Sequence, residues 1–146
     1  MNHFQHKGFT LFELLLSISI IAVIAGGILA LDIPAQQRND LDTTRDAIVQ
    51  SLYSAQMRAR GVDGDSAWSV SLQNNTITLF KGSSYATRDT TRDETTEIPG
   101  TLVATGLSEI VFTKLSGNPT PTGTITLTSK TNEMRTLSIN TMGLVE

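Results

Sequence analysis

Residues 7–27 read KGFTLFELLLSISIIAVIAGG and open the densest apolar segment of this 146-residue chain. The apolar segment runs over residues 9–33, and a helix of that length is about 37 Å long at a rise of about 1.5 Å per residue. A bilayer core is about 30 Å thick, so such a helix is long enough to cross it. The sequence therefore predicts a membrane-spanning helix over residues 9–33.

The short segment before this helix predicts its orientation. Residues 1–8 are polar and carry one fixed positive charge, Lys7, and the positive-inside rule keeps that end in the cytoplasm. The rest of the chain would then lie outside the cytoplasm. An ordinary secretory signal peptide has a shorter apolar core that is followed by its cleavage site. Here the small residue Gly8 precedes the apolar segment, so cleavage after Gly8 would remove the polar head and keep the helix.

Glu13 is an acid inside the apolar segment. A carboxylate in a spanning helix costs about 2.5–3.5 kcal/mol near the bilayer centre and less toward the interface. If the chain is cut after Gly8, Phe9 acquires a free α-amine, and a neighbouring helix staggered by about one turn would bring its amine to this carboxylate. We therefore predict that Glu13 is an assembly residue. The plainer alternative is a signal anchor with an acid near the interface.

The N-terminal features together resemble the N-terminus of type IV pilins and of the pseudopilins of type II secretion. They are Gly8, the aromatic Phe9, the pair Thr10-Leu11, the acid Glu13 and the uninterrupted apolar helix. The resemblance implies cleavage between Gly8 and Phe9 by a prepilin peptidase, followed by N-methylation of Phe9. It also implies a single-pass protein of the bacterial inner membrane, in contact with lipid and an assembly platform, whose helix later packs with other pilin subunits in a filament.

One departure from that family concerns the bend in its helix. Many members carry a proline at the position of Ala30, whereas this chain has its proline at Pro34. The pair Gly26-Gly27 weakens the helix earlier, because each Gly costs about 1 kcal/mol relative to Ala. We therefore expect a bend or a melted stretch between Gly26 and Pro34.

An amphipathic helix is predicted over residues 34–60. Apolar residues recur at spacings of seven, four, three and four, which places them on one helical face. These residues are Leu41, Ile48, Leu52, Ala55 and Ala59. Val49, Tyr53 and Met57 widen the stripe, and we expect Tyr53 and Met57 to contact the core. Cations in the last turn complement the helix dipole, and Gly61 is expected to cap the end.

From residue 61 the apolar pattern changes to the alternation of strands. Strands are predicted at residues 68–72, 76–80, 109–115, 124–128, 136–140 and 144–146, with a hairpin loop at residues 73–75 and a loop at the proline-containing residues 117–123. The predicted fold class is α+β, a long N-terminal helix packed on an antiparallel β-sheet domain. Its parts are a leader at 1–8, a transmembrane and assembly helix at 9–33, an amphipathic helix at 34–60 and a β-rich extracytoplasmic domain at 61–146.

Residues 81–100 are predicted to form a solvated, mobile loop, because they include TRDTTRDE at 87–94 and hold almost no apolar side chain. The sharper alternative is a recognition loop or a cation site. Its acids would be Asp89, Asp93, Glu94 and Glu97. The sequence Asp63-Gly-Asp65 is predicted to be a turn rather than a calcium site.

The downstream layout resembles the H-type minor pseudopilins of type II secretion and their relatives among the minor pilins of type IV pili. The shared features are a helix followed by strands and a closing pattern at Phe112, residues 123–127, Ile139-Asn140 and Gly143. Many major pilins end in a disulfide-closed loop, which a chain without cysteine cannot form. We therefore expect a minor subunit of a type II secretion pseudopilus or of a type IV pilus.

The sequence does not predict an enzyme. Cleavage after Gly8 would remove both histidines, and the chain has no cysteine, so the usual general base and the thiol nucleophile are missing. No phosphate-binding loop, dinucleotide-binding glycine pattern or zinc-protease motif occurs. We expect no cofactor, no metal site and no small-molecule substrate, and a separate cytoplasmic ATPase would supply the energy for assembly.

Two other roles stay open. In the first, the domain is a binding module at a filament tip that contacts DNA, a surface or an exported protein. Residues 35–146 carry ten Lys and Arg against twelve Asp and Glu, which makes nucleic acid an unlikely partner. The arginines that would have to cluster for DNA binding are Arg45, Arg58, Arg60, Arg88 and Arg92. In the second, the helix only tethers a monomeric domain, and the protein would keep Met1.

Overall fold

The computed structural model describes residues 9–29 and 32–146. The chain divides into two compact units, residues 1–36 and residues 37–146. Helix α1 (Leu11–Leu29) lies in the first unit. Helix α2 (Asp32–Arg60) begins in the first unit and continues through the second. The bend predicted between Gly26 and Pro34 includes residues 30 and 31, which lie outside the described residues.

The buried face of α2 is the one that the apolar spacing predicts. All five predicted positions are fully buried, namely Leu41, Ile48, Leu52, Ala55 and Ala59. They form one core with the inward-facing side chains of the strands, including Trp68, Phe112 and Leu127. The predicted α+β architecture, an amphipathic helix packed on antiparallel sheets, is therefore confirmed within residues 37–146.

Eight strands follow α2 in the part of the chain that the structure describes. They are β1 (Trp68–Gln73), β2 (Thr76–Lys81), β3 (Asp89–Glu97), β4 (Leu102–Gly106), β5 (Glu109–Phe112), β6 (Pro119–Thr120), β7 (Gly123–Ser129) and β8 (Met134–Ile139). They form a five-stranded sheet in the order β3-β2-β1-β5-β6 and a three-stranded sheet in the order β4-β7-β8. All the pairs are antiparallel.

The first hairpin turns where the sequence predicts, but its loop is one residue shorter than the predicted 73–75, because Gln73 belongs to β1. Gln73 pairs with Thr76, so Asn74 and Asn75 make the whole connection between β1 and β2. Both asparagines have left-handed backbones, with φ of 53° and 58°. Two left-handed central residues are the requirement of a type I′ turn, whose twist matches that of the two strands.

The prediction of a loop over residues 81–100 is wrong, because β3 lies within it. This strand forms an edge of the five-stranded sheet and pairs with β2, for example Thr96 with Ile77. The register shifts between Leu79 and Lys81, so the strand bulges. Almost all its side chains are exposed, and it therefore lacks the apolar alternation by which a half-buried strand is recognised.

The end of α2 also differs from the prediction. The N–H of Gly61 still bonds the carbonyl of Met57 at 2.8 Å, so Gly61 continues the helical hydrogen bonds and is not the left-handed cap. Val62 takes that conformation, with φ of 57°. The next turn, Asp63–Asp65, is a short 3-10 helix, as expected of a turn. It is held in place by the indole N–H of Trp68, which donates to the carbonyl of Asp63 at 2.9 Å.

Two strand boundaries differ for local reasons. The strand predicted to reach residue 115 ends at Phe112, because Leu115 has φ of 72° and donates its N–H to the carbonyl of Ala59 at 3.0 Å. The predicted loop at 117–123 contains β6, in which Pro119 pairs with Phe112. Proline is tolerated there because β6 is an edge strand.

The prediction missed β4 and overestimated the last strand. In β4 only Leu102 is fully buried, so its apolar pattern is too short to be recognised. Residues 144–146 contribute a single bridge, between Ile139 and Val145. They also exchange two backbone hydrogen bonds between Ser138 and Glu146, at 2.8 and 3.0 Å.

Candidate functional site

Helix α1 begins at a capping threonine. The Oγ1 of Thr10 accepts a hydrogen bond from the N–H of Glu13 at 3.3 Å, and the carbonyl of Thr10 accepts one from the N–H of Leu14 at 3.2 Å. Thr10 is therefore the N-cap residue of α1. The spacing Thr-x-x-Glu before an apolar run is the sequence pattern of a capping box, so this role can be recognised without a structure, although the sequence interpretation missed it.

Glu13 lies in the first turn of α1. Its carboxylate benefits there from the partial positive charge of the helix N-terminus. Phe9, the predicted N-terminal residue after cleavage, lies just before the capping residue and is 80% exposed. The structure thus places Phe9 and Glu13 at the same helix end, and the pairing of Glu13 with a neighbouring chain stays a prediction.

Apolar side chains cover α1 on every side, and its residues 11–25 are all exposed. The most exposed of them are Leu11, Phe12 and Val23, and Phe9 just before the helix is similarly exposed. The hydroxyls of Ser17 and Ser19 donate to the carbonyls of Glu13 and Leu15, each at 2.8 Å, so these polar groups are satisfied inside the helix. A helix that is apolar all round is normally covered by lipid or by other apolar helices.

Two predicted features of the N-terminal region are not confirmed by the structure. Among residues 9–29 and 32–146, no helix reaches the combination of length and mean hydropathy required to span a bilayer. The leader at 1–8, with Gly8 on one side of the predicted cleavage bond, lies outside the described residues.

The outer face of α2 corrects the expectation for two side chains. Tyr53 is 43% exposed and Met57 is 66% exposed, so the prediction that they contact the core is wrong. The sheets cover a narrower stripe of the helix than the apolar pattern suggests, and only Val49 of the widened stripe packs against the core. Tyr53 and Met57 instead form an exposed apolar surface.

A polar residue occupies the buried flank of that stripe. The side-chain amide of Gln56 donates to the carbonyls of Gly117 and Met142 at 3.0 and 2.8 Å, and the residue is buried. The backbone of Gly143, with φ of 81°, lies against this amide, and a Cβ at Gly143 would lie 2.1 Å from the amide nitrogen. Gln56 therefore fixes two loops to the helix.

Three of the four acids of residues 81–100 have separate partners. Asp93 accepts a hydrogen bond from Arg88 at 2.7 Å, and this bond raises the pKa of the Arg88 guanidinium. Asp89 accepts from the hydroxyl and the N–H of Thr91 at 2.6 and 3.1 Å, which lowers the pKa of the Asp89 carboxyl. Glu94 pairs with an arginine of α2. Across the described part of the chain, no three His, Asp or Glu side chains gather closely enough to hold a metal ion.

Four of the five arginines considered for nucleic-acid binding have individual partners, namely Arg45, Arg58, Arg60 and Arg88. Arg45 pairs with its neighbour Asp46, and Arg58 pairs with Glu94. Arg60 donates to a backbone carbonyl at 3.2 Å. A basic stripe for nucleic acid would need these guanidinium groups to be available for phosphates.

The comparison with known protein families gives a match at the N-terminus of the chain, where α1 begins. A family model described as the prokaryotic N-terminal methylation motif matches residues 4–29. No curated protein and no solved structure matches the chain. The matched motif supports a type IV pilin-like N-terminus that prepilin peptidase processes, and it implies assembly with other pilin subunits. Residues 4–29 include Gly8, Phe9, Thr10 and Glu13, so the match covers the whole predicted processing and assembly site.

Proposed function

We propose that the chain is a minor pilin or pseudopilin, a non-catalytic structural subunit of a type II secretion pseudopilus or a type IV pilus. The observation that carries the proposal is the coincidence of the methylation motif at residues 4–29 with a helix whose apolar side chains are exposed on all sides. Such a helix is unstable in water unless lipid or other apolar helices cover it. The membrane provides the lipid before assembly, and the filament core provides the helices afterwards.

The precursor resides in the bacterial inner membrane in this proposal. Lys7 keeps the N-terminus in the cytoplasm, and the domain at residues 61–146 lies outside it. Prepilin peptidase cleaves between Gly8 and Phe9, and the new α-amine of Phe9 is N-methylated. The subunit then enters the filament through the inner-membrane assembly platform, powered by a separate cytoplasmic ATPase.

Glu13 directs assembly through its charge. The end of its own helix offers the carboxylate about 0.3–1 kcal/mol at an exposed site. A carboxylate in an apolar helix costs about 2.5–3.5 kcal/mol near the bilayer centre and less toward the interface, and α1 itself contains no cationic side chain. The α-amine of Phe9 on a neighbouring subunit supplies the missing partner, which favours the assembled state.

Within the family, we place the chain with the H-type minor subunits. This placement rests on the resemblance of the closing pattern, four of whose positions have a clear role in this fold. Phe112, Leu127 and Ile139 are buried in the core, and Gly143 is the residue that leaves room for the amide of Gln56. The lack of cysteine argues against a major pilin with a disulfide-closed loop.

A binding module at the filament tip is the second candidate. Exposed Tyr53 and Met57 favour it, because aromatic and Met side chains are enriched in contact surfaces. DNA is the least favoured ligand, since Arg45 and Arg58 are paired with acids. Binding of DNA to the full chain at low salt would support the tip module, and no binding at low salt would remove DNA from consideration.

The test of the proposed function compares two variants of α1 in the native host. Glu13→Leu removes the charge, whereas Ser19→Leu removes a hydroxyl that is already bonded within its own helix. We expect both to insert and to be cleaved like the wild type. Incorporation of Glu13→Leu into filaments should fall by about tenfold or more, the effect of losing at least about 1.4 kcal/mol, while Ser19→Leu incorporates normally. Normal incorporation of Glu13→Leu would contradict the pairing.

A further inference from the structure

Strand β3 leaves one of its edges unpaired in the part of the chain that the structure describes. Among those residues β2 is the only strand that pairs with it, because β3 stands at the end of the order β3-β2-β1-β5-β6. The N–H of Ile98 donates to the carbonyl of Asn75 at 2.7 Å, and in an antiparallel ladder alternate residues bond the partner strand. Two residues back, Thr96 therefore bonds β2. The N–H and C=O groups of Thr95 and Glu97 then point to the free edge.

The sequence of β3 does little to protect this edge. Proteins usually protect an edge strand with proline, lysine or a covering element, because unpaired backbone groups attract other strands. The nine residues of β3, DTTRDETTE, include neither proline nor lysine, and every side chain except that of Asp93 is exposed. The bulge interrupts the pairing with β2 near Lys81, whereas Glu94–Glu97 keep a regular ladder. This regular part can therefore accept an added strand.

One face of the edge is directed toward α2. Glu94 and Thr96 lie opposite Leu79 and Ile77, which are buried in the core that α2 covers. The side chains of Glu94 and Thr96 are therefore on the α2 side of the sheet. The ion pair of Glu94 with Arg58 at 2.6 Å shows that a side chain from this edge reaches α2.

A groove between α2 and β3 connects the free edge to the exposed apolar surface of α2. Gln50 and Ser54 line this groove together with Glu94, and the same two residues of α2 border Tyr53 and Met57. Adjacent strands lie about 4.8 Å apart, so a strand added beside β3 would extend along this groove. Its side chains on the α2 side would then contact Tyr53 and Met57, which the domain leaves exposed.

The charge of β3 indicates the chemistry of the added strand. The strand has four acids and one arginine, a net charge of −3. Like charges on neighbouring strands are destabilising, so a second copy of β3 is repelled and a strand with Lys or Arg is attracted. We propose that β3, Tyr53 and Met57 bind a basic, extended segment of another protein, added as an outer strand whose alternate apolar side chains contact α2.

This binding surface goes beyond the proposed function. It depends on the fold of residues 37–146 and not on the N-terminal motif, so the failure of one leaves the other standing. Cleavage at Phe9 tests the proposed function, whereas binding of a peptide tests the surface.

The first experiment measures binding of a labelled peptide to the full chain in a non-ionic detergent. The probe has the length of β3 and alternates Lys with Val, and the matched control alternates Glu with Val. We expect the Lys peptide to bind at least about tenfold more tightly, because like charges across an interface are strongly unfavourable. No binding of the Lys peptide, or equal binding of the two peptides, would overturn the proposal.

Variants at Thr95 test whether the peptide binds as a strand. Thr95→Pro removes an N–H that points to the free edge, a position at which an edge strand tolerates proline, whereas Thr95→Val keeps the N–H. We expect Thr95→Pro to weaken binding of the Lys peptide by about fivefold, through loss of a hydrogen bond, and Thr95→Val to bind like the wild type. Equal binding by the two variants would overturn the addition of a strand.

Two methionine variants test the contact with α2. Met57→Lys adds a cation to the proposed surface, and Met134→Lys adds the same charge on β8 of the other sheet. The two side chains are similarly exposed, at 66% and 59%. We expect Met57→Lys to weaken binding of the Lys peptide by about tenfold, through lost apolar contact and like charge, and Met134→Lys by less than about twofold because solvent screens a distant charge. Equal weakening would overturn the proposed contact.

Amide hydrogen exchange of the wild type needs no variant. The amide of Thr95 should exchange rapidly in the free chain and be protected when the Lys peptide binds, whereas the amide of Thr96 should be protected in both states. A Thr95 amide that stays unprotected with the peptide bound would overturn the proposal. Protection of that amide by self-association of the chain without peptide would also overturn it, because the occupant would then be a second copy.

Discussion

The guanidinium carbon of Arg58 lies 4.6 Å from the centre of the Trp68 ring. Arg58 is in the last turn of α2 and Trp68 opens β1, so this contact joins the helix to the five-stranded sheet. The same guanidinium donates to Glu94 of β3 at 2.6 Å. The sequence predicted Arg58 as a cation that complements the helix dipole and as a candidate for a DNA-binding cluster, and the structure adds its role in connecting three elements.

Removal of this link should destabilise the domain measurably. We expect Arg58→Ala to lower the free energy of unfolding by about 1 kcal/mol, because a cation–π contact contributes about 0.5–1 kcal/mol at exposed sites and a surface ion pair contributes less than about 1 kcal/mol. Urea unfolding of the full chain in mild detergent measures this through the fluorescence of Trp68, the one tryptophan. Arg45→Ala is the control, since its partner is the exposed neighbour Asp46. Equal losses in the two variants would contradict a specific role for Arg58.

The amide of Gln56 gives a second prediction. Gln56→Leu leaves the carbonyls of Gly117 and Met142 without their side-chain donor, and we expect a loss of about 1–3 kcal/mol because both acceptors are fixed near a buried group. The measurement is again the urea transition of the full chain. A loss below about 0.5 kcal/mol would show that water replaces the amide without cost.

Gly143 and Gln56 should be coupled. Gly143→Ala places a methyl group 2.1 Å from the Gln56 amide nitrogen and strains a backbone with φ of 81°. We expect Gly143→Ala to lower the free energy of unfolding more in the wild type than in a Gln56→Ala background, with a coupling energy of about 0.5–3 kcal/mol. A double-mutant cycle measures this difference. Additive effects would mean that the backbone strain, rather than the contact with Gln56, explains the glycine.

The carboxyl of Asp89 predicts a pH dependence. Hydrogen bonds from Thr91 lower its pKa from the ordinary value of 3.8. A carboxyl with a lowered pKa in the folded state stabilises that state above the unfolded pKa, about 4, and this contribution is lost as the pH falls through the folded pKa. The stability difference between the wild type and Asp89→Asn should therefore be constant from about pH 5 to 8 and shrink below about pH 4. A difference that persists unchanged at pH 2 would contradict the assignment.

The sequence predicts the parts of the fold whose apolar side chains recur at a regular spacing. The spacing of Leu41, Ile48 and Leu52 predicts the buried face of α2. The alternation of apolar side chains with Ser or Thr predicts β1 and β2, although four consecutive residues of each strand are buried in the structure. Strand β3 was not predicted from the sequence, because neither of its faces is buried and it therefore has no apolar alternation. The core contact predicted for Tyr53 and Met57 was wrong for another reason. Periodicity gives the direction of the buried face of a helix, but it does not give the width of the face that the sheets cover.

The predicted processing and assembly site consists of residues that are close together in the sequence. Gly8, Phe9 and Glu13 lie within six residues, so no long-range contact is needed to bring them together. The cap at Thr10 is equally local and can be read from the Thr-x-x-Glu spacing. The sequence of a single chain does not show where a neighbouring subunit lies. The pairing of Glu13 with such a subunit therefore has to be tested in filaments.

The most direct measurement is the intact mass and the N-terminal peptide of the protein purified from its native host. The account predicts a chain that begins at Phe9, with one methyl group on its α-amine and without the octapeptide of residues 1–8. A mature protein that retains the octapeptide and begins at Met1 would contradict it, because Phe9 would then have no free amine for Glu13 to pair with.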